Sequence, residues 1–350
     1  MEKLNFNGRL VGPGEPPYFI AEIGANHNGD MGLCKKMINS AIECGADAVK
    51  FQSWSSKTLI SKAEYERNTT YTDTNRHFGS LKEMVDKYQF THEQHLEILA
   101  YCKTKGVEFM SSAFSPEEVD MLLEMNVPCI KLASMDVNHI PLLKYVGSKG
   151  CQVMLSTGMA SMGEIETAVN TLREAGSGPI ALFHCISIYP PEYKDIHLNN
   201  MKTLEQAFDV PVGFSDHTIG SAIPLAAVAL GACIIEKHFT TDKDMDGWDH
   251  WISANPAEMT VICKDGMNVW KALGSTTRTV SEAEMEKRTK FRRSMVTTRA
   301  IKKGEILKAE DFDFLRPGTG VGPEELKYAI GRKAAQDLTD GAEVKWDDFA

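Results

Sequence analysis

The stretch PVGFSDHTIGSAIPLAAVALGACIIEKHF, residues 211–239, holds two short apolar runs separated by one helical segment. Each run ends close to a histidine, His217 in the first and His238 in the second. The runs are nearly continuous in apolar residues rather than alternating. That is the pattern of parallel strands covered on both faces. The segment between them, GSAIPLAAVALGA, has the length and composition of a crossover helix, so the whole reads as one β–α–β unit.

The same unit recurs along the chain. The apolar runs are YFIAEIG, DAVKFQ, VEFMSS, PCIKLAS, QVMLSTG, IALFHC, PVGFSD and CIIEKHF. Helix-like segments such as GLCKKMINSAIECG and THEQHLEILAYCKTKG lie between them, and several stop at glycine. Eight strand–helix units in about 270 residues predict a (β/α)8 TIM barrel, in an α/β chain. A doubly wound open sheet is the alternative arrangement of such units. The polar stretch 53–88 reads as an extended loop after the second run.

After Leu273 the texture changes. GSTTRTVSEAEMEKRTKFRR is charged and almost free of aliphatic residues, and reads as a linker. Short strands and glycine turns follow. The expected domains are a catalytic barrel over 1–273, a linker over 274–284 and a small, mostly β domain over 285–350. A core that small is marginally stable alone, so docking on a larger body is expected.

Bulk composition narrows the function. The net charge of −10 argues against broad binding to nucleic acid or anionic membranes. No window approaches the roughly 18 apolar residues of a membrane span. The start MEKLNFNGRL has no signal-peptide core, so a cytoplasmic protein is expected. Eight cysteines occur without a C-x-x-C pair, mostly inside apolar runs, as buried reduced thiols would.

In a barrel, chemistry sits at the C-terminal strand ends. The runs end in or near Glu22, Lys50, Ser111, Lys131 with Ser134, Ser156, His184, His217 and His238. His217 and His238, on adjacent strands, either are satisfied polar residues or hold a divalent metal with open positions. Lys50 and Lys131, with Ser134 and Ser156, could grip a carboxylate or phosphate; rim lysines that snorkel are the plain alternative. Glu22 sits in an apolar run with Asn26, His27 and Asn28 in the turn after it. It could orient water or take a proton, or simply pair with Lys50 or Lys131. Asp249 and His250, after the eighth run, could touch a polar substrate or cap a turn. His92 and His95 read as a surface helix N-terminus and carry no weight. There is no P-loop and no G-x-G-x-x-G fingerprint.

AEIGANHNGD, VKFQ, KLAS, STGM, IYPPEY, GFSDHTIG, EKHFTTDK and RPGTG occur in an order that resembles the sialic acid (N-acetylneuraminate) synthases over nearly the whole chain. The small C-terminal domain is similar to that family's antifreeze-like (SAF) domain. The resemblance implies condensation of phosphoenolpyruvate with an N-acetylated amino sugar, N-acetylmannosamine or a close relative. The product would be a nine-carbon 2-keto-3-deoxy acid, with loss of phosphate. It further implies His217 and His238 on a divalent metal, typically Mn2+ with Mg2+ or Co2+ as alternatives. Lys50, Lys131, Ser134 and Ser156 would hold the phosphoenolpyruvate. Glu22, Tyr189 and Asp249 would line the metal and sugar region. Arg316, in RPGTG, would reach the sugar from a partner's small domain in a domain-swapped homodimer.

Two positions that face the sugar in the family depart from its usual pattern. Ser187 precedes IYP where the family usually has Asn, and Met135 with Asp136 follows K-x-x-S where Gly-Glu is usual. The acceptor could therefore be a 2,4-diacetamido-trideoxyhexose, giving a legionaminic- or pseudaminic-type acid. Two other readings are the synthases of 3-deoxy heptulosonate or octulosonate phosphates, and a non-catalytic glycan-binding protein. RPGTG and the C-terminal domain argue against the first, and the intact histidine pair and lysines against the second.

Overall fold

The computed structural model describes residues 1–70 and 79–350 in full, and the backbone alone at 72, 73, 76 and 77. It divides into two units, Met1–Gly274 and Ser275–Ala350. The first is a closed barrel of eight parallel strands: β1 Tyr18–Glu22, β2 Ala48–Ser53, β3 Glu108–Ala113, β4 Ile130–Leu132, β5 Val153–Ser156, β6 Ile180–Cys185, β7 Val212–Asp216 and β8 Ile234–His238. Each strand pairs with its sequence neighbours, and β8 closes on β1 with His238 opposite Glu22. The open-sheet alternative is thereby excluded.

Local chemistry starts and stops the helices as the sequence suggests. Asp30 caps the helix Met31–Cys44 by accepting from the N–H groups of Gly32 and Leu33. Gly45 ends it at φ 92°, a left-handed conformation that glycine adopts without penalty.

The strands alternate in facing. Outward residues such as Phe19, Val49, Phe109, Leu155 and Ile235 pack under the helices in one large apolar layer. Inward residues from the lower strand halves, among them Tyr18, Ile20, Met110, Met154, Phe183 and Ile234, fill the barrel. Because both faces are apolar there, the alternation is hidden in the sequence. The same parity higher up each strand points polar residues into the barrel's upper mouth.

The barrel floor is closed by a hairpin that the sequence reading did not anticipate. Leu4–Phe6 pairs with Arg9–Val11 across Asn7 and Gly8, both at positive φ. Asn-Gly is the favoured two-residue hairpin turn, so the signal stood in NFNGRL. Leu4, Phe6 and Val11 are buried in the inner core, with Phe6 edge-on to Tyr18 at 5.0 Å.

The described residues of the expected extended loop 53–88 include regular structure. The loop carries helices Lys62–Arg67 and Leu81–Tyr88, the latter started by a full capping box at Ser80 and Glu83. Its part at 71, 74, 75 and 78 lies outside the described residues. Tyr65, Met84, Val85 and Trp54 form a small separate core beneath it.

The second unit has its own core of Met295, Ile301, Leu307, Phe312, Val321, Val344 and neighbours. Ser294–Thr297 and Phe312–Leu315 form its antiparallel pair. The linker reading needs correction at its end. Glu282–Phe291 is a helix, capped by Ser281, with no buried residue. Its charged face hid it, since a helix without an apolar stripe leaves no hydrophobic period. All eight cysteines are free, and all but Cys151 are buried. Among the described residues no helix is long and apolar enough to cross a membrane.

Candidate active site

A cavity of about 620 Å³ opens at the C-terminal ends of the barrel strands. Glu22, Lys50, Lys131, Ser134, Ser156, Ser187, Tyr189, His217, His238 and Asp249 all line it. Alternation explains the set: Glu22, Lys50, Lys131, Ser156 and His238 occupy inward positions of five different strands.

The floor is a buried charge cluster. Lys50 Nζ lies 2.6 Å from Glu22 Oε2 and 3.7 Å from Glu236 Oε1, and donates to Ser112 Oγ at 3.2 Å. Gln52 donates to the other Glu22 oxygen at 2.8 Å. Burial disfavours the Lys50 ammonium, but the two carboxylates outweigh it and hold the group above its ordinary value. Burial pushes Glu22 up, and Lys50 only partly offsets this. Lys131 donates to Ser156 Oγ at 2.6 Å and to the Leu132 carbonyl at 3.2 Å. Among the described residues no carboxylate forms an ion pair with it, and burial pulls its ammonium below the usual lysine range. A buried lysine with neutral partners is the group most in need of an anion.

Glu236 was missed by the sequence reading, and it balances both lysines. Burial raises its carboxyl, but Lys131 and Lys50 together hold it below the usual glutamate range. Ser215 donates to its Oε1 at 3.1 Å. The available signal was parity, since Glu236 stands two residues before His238 and so shares its face. Ser215, two residues before His217, and Gln52, two residues after Lys50, share a face with those residues in the same way.

The two imidazoles face each other with ring centroids 5.5 Å apart. His217 Nδ1 donates to the Ile186 carbonyl at 2.7 Å, which turns its Nε2 toward the cavity. A backbone carbonyl on the far ring nitrogen is the usual support for a metal-binding histidine. His238 Nδ1 lies 4.0 Å from Asp249 Oδ2, and the Tyr189 ring sits 4.0 Å from that of His217. Among the described residues no three His, Cys, Asp or Glu side chains form a metal-holding group. The two imidazoles are donors of a type that suits a divalent ion, which they could bind only with further ligands from outside the chain.

The loops around the mouth are tied down. Asn26, fully buried, donates to the Phe239 carbonyl and Ser253 hydroxyl, both at 2.9 Å, and accepts the Asp249 N–H at 3.2 Å. Gly158 N–H donates to Ser134 Oγ at 2.9 Å. A Cβ on Gly158 would fall 2.3 Å from Ser187 Oγ and 2.9 Å from Ser134 Oγ, so a larger residue there would have to displace both hydroxyls.

Several candidates lie elsewhere. Ser111 and His184 face outward: Ser111 bonds Ser53 Oγ at 2.7 Å, and His184 Nε2 bonds the Ile196 carbonyl at 2.5 Å. His95 is buried rather than on the surface, held between the Thr91 carbonyl and Ser53 Oγ. His27 stacks on Phe90 at 3.9 Å, and His250 bonds Thr240 Oγ1 at 2.7 Å. These are satisfied structural histidines. Arg316 belongs to the second unit, where its guanidinium lies 5.1 Å over the Phe291 ring.

Asp136, expected to face the sugar, does not line the cavity; Met135 does. In the tight turn Ser134–Asp136 the Asp136 side chain is buried, outside the cavity lining. Burial, with Glu118 adding and Lys131 opposing, pushes its carboxyl up to about 7. Between pH 4 and 7 the folded protein then keeps a proton that the unfolded chain, with the ordinary value of 3.8, has lost. Stability should fall as pH rises through that window. Asp136→Asn should remove on the order of 3 kcal/mol of this slope. Urea unfolding of both proteins at pH 4.5 and 8 checks it; parallel changes with pH would count against it.

A buried lysine–carboxylate floor and a histidine pair share one cavity at the strand ends of a closed TIM barrel, where barrel enzymes carry their sites. Comparison with known proteins places the chain more closely. The NeuB family model matches residues 37–278 and the SAF domain model residues 292–350, and the chain belongs to the NeuB family. It is 39% identical over 327 residues to the N,N'-diacetyllegionaminic acid synthase of Campylobacter jejuni, covering 92% of this chain and 96% of that one. It is 34% identical over 329 residues to human N-acetylneuraminate-9-phosphate synthase, covering 93% and 90%. The structure of the N-acetylneuraminic acid (sialic acid) synthetase of Leptospira borgpetersenii superposes with a TM-score of 0.71 at 35% identity, covering 82% and 95%.

Proposed function

We propose that this enzyme condenses phosphoenolpyruvate with an N-acetylated amino sugar to give a nine-carbon 2-keto-3-deoxy acid and phosphate. One observation carries the reading. In a chain of this family, the anion-seeking group of Lys131, Ser156 and Lys50 shares one cavity with the pair of His217 and His238.

Lys50 and Lys131 hold the carboxylate and phosphate of phosphoenolpyruvate, with Ser134 and Ser156 as further donors. This fixes the enol carbon toward the acceptor, a positioning effect. His217 and His238 would hold a divalent metal, Mn2+ in first place with Mg2+ or Co2+ as alternatives, whose chemistry is polarisation of the acceptor aldehyde. The C3 carbon of phosphoenolpyruvate forms the new bond to that aldehyde carbon. Water then adds at C2, and the tetrahedral species collapses with cleavage of the C–O bond to phosphate. Glu22, buried beside Lys50, is placed to orient that water. Tyr189, Ser187 and Asp249 border the acceptor side.

A second acceptor has its own support. Met135, Met159 and Ile188 line the cavity beside Ser187. Apolar side chains at that edge favour a deoxygenated, acetamido-bearing sugar, a 2,4-diacetamido-trideoxyhexose, over a fully hydroxylated one. The product would then be a legionaminic- or pseudaminic-type acid. Phosphate release from phosphoenolpyruvate, measured with a panel of both sugar classes, with and without Mn2+, decides between them. Release with none of the sugars would sink the function.

Arg316 is proposed to reach the acceptor from the small domain of a partner in a domain-swapped homodimer. Arg316→Ala should raise the acceptor KM about tenfold, as for one lost charged hydrogen bond, and leave the phosphoenolpyruvate KM unchanged. Equal acceptor KM values would remove Arg316 from the site. Full activity in a monomer at high dilution would exclude the swap.

A further inference from the structure

We propose that Asp216 and Lys237 are positioning residues whose buried ion pair, on the outer face of β7 and β8, sets the spacing and aim of His217 and His238. The inference rests on the reading of these histidines as metal ligands.

Asp216 and Lys237 are direct partners in the strand register. Lys237 Nζ lies 2.7 Å from Asp216 Oδ2, and the two side chains are 1% and 0% exposed. Each residue immediately precedes a cavity histidine, so alternation sends the charged pair outward and the imidazoles inward. The pair also grips the turn that carries His217. Asp216 Oδ1 accepts the Thr218 N–H at 2.8 Å, and Oδ2 accepts the Thr218 hydroxyl at 3.2 Å. Lys237 donates to the Thr218 carbonyl. The backbone on the far side of His217 is therefore bonded through N–H, C=O and side chain at once. The Ile186 carbonyl holds the ring itself, through Nδ1.

Stability alone does not account for this pair. The neighbouring outward residues Phe214 and Ile235 are buried and apolar. A buried ion pair seldom stabilises more than apolar residues of similar volume would, because both charges must be desolvated. What the pair adds is direction. It joins the ends of two strands at a fixed register, one residue from each imidazole. A drift of either strand end would change the ring separation of 5.5 Å.

The test reads Mn2+ affinity of the protein without substrates, by the free-ion signal in electron paramagnetic resonance, alongside thermal unfolding and phosphoenolpyruvate affinity. Asp216→Leu combined with Lys237→Met removes both charges and keeps the volume apolar. Its Mn2+ Kd should rise on the order of 10- to 100-fold, the usual effect of losing a support behind a metal ligand. Its phosphoenolpyruvate Kd should stay within about twofold, the scatter expected of an untouched site. Asp216→Asn, which keeps the shape and the acceptor for Thr218, covers the case of a double variant that does not fold, and should also lose Mn2+ affinity. A folded variant that binds Mn2+ as the wild type does, while His217→Ala does not, overturns the positioning role alone. Wild-type Mn2+ affinity in His217→Ala overturns the ligand reading beneath it.

Discussion

His217→Ala is expected to lower turnover on the order of 10³-fold, with the fold intact. The size follows from the proposed chemistry. The enol carbon of phosphoenolpyruvate is a weak nucleophile, so most of the rate depends on polarising the aldehyde. Lewis-acid polarisation contributes several kcal/mol, and about 4 kcal/mol corresponds to 10³ in rate. The structural loss is much smaller. The imidazole is buried, bonded to the Ile186 carbonyl and, at 3.9 Å, to Cys185 Sγ. Losing the shorter of these bonds costs roughly 1 kcal/mol. Circular dichroism and thermal unfolding should therefore show a folded barrel while steady-state phosphate release collapses. A variant retaining more than a tenth of wild-type turnover would remove His217 from the chemistry.

Glu236→Leu is expected to destabilise the barrel unit by about 3–5 kcal/mol, the usual effect of removing one partner from a buried charge group. For a domain of this size that is a fall in Tm of roughly 10 °C. The cause is specific. Lys131 has only neutral contacts, so without Glu236 two buried ammoniums share Glu22. The variant should regain stability when an anion enters. Phosphoenolpyruvate should raise the Tm of Glu236→Leu by more than that of the wild type, because it replaces missing negative charge. An equal shift in both proteins would show that Lys131 does not face the anion. A pH signature accompanies it. The folded Glu236 carboxyl is depressed from its ordinary 4.5, so its stabilisation is complete above that value and is lost as pH falls below it. The variant should lack this acid limb.

The barrel was legible because its signal is repetitive. Eight apolar runs separated by glycine-ended helical segments admit few topologies, and strand ends are where chemistry sits. Lys50, Lys131, Ser156, His217 and His238 stood out as polar residues at the ends of apolar runs. Helix Glu282–Phe291 escaped because it buries nothing, and the floor hairpin because its Asn-Gly turn lay in three-residue strands. Ser111 and His184 stood out at run ends in the same way, yet it is their neighbours Ser112 and Cys185 that line the cavity.

By itself the sequence determined the eight strand–helix units of the barrel, marked the change of texture after residue 273, and set out the candidate residues of the site. Those depend on local periodicity, turn chemistry and composition, which are written in consecutive residues. Only the tertiary structure decided which face each strand turns inward, and so separated Glu236 and His238 from Asp216 and Lys237. It also decided that Asp136 turns away from the cavity and that His95 is buried. Facing and pairing arise from closure of the sheet, where residues far apart in sequence become neighbours. A run apolar on both faces carries no record of which side will see the substrate.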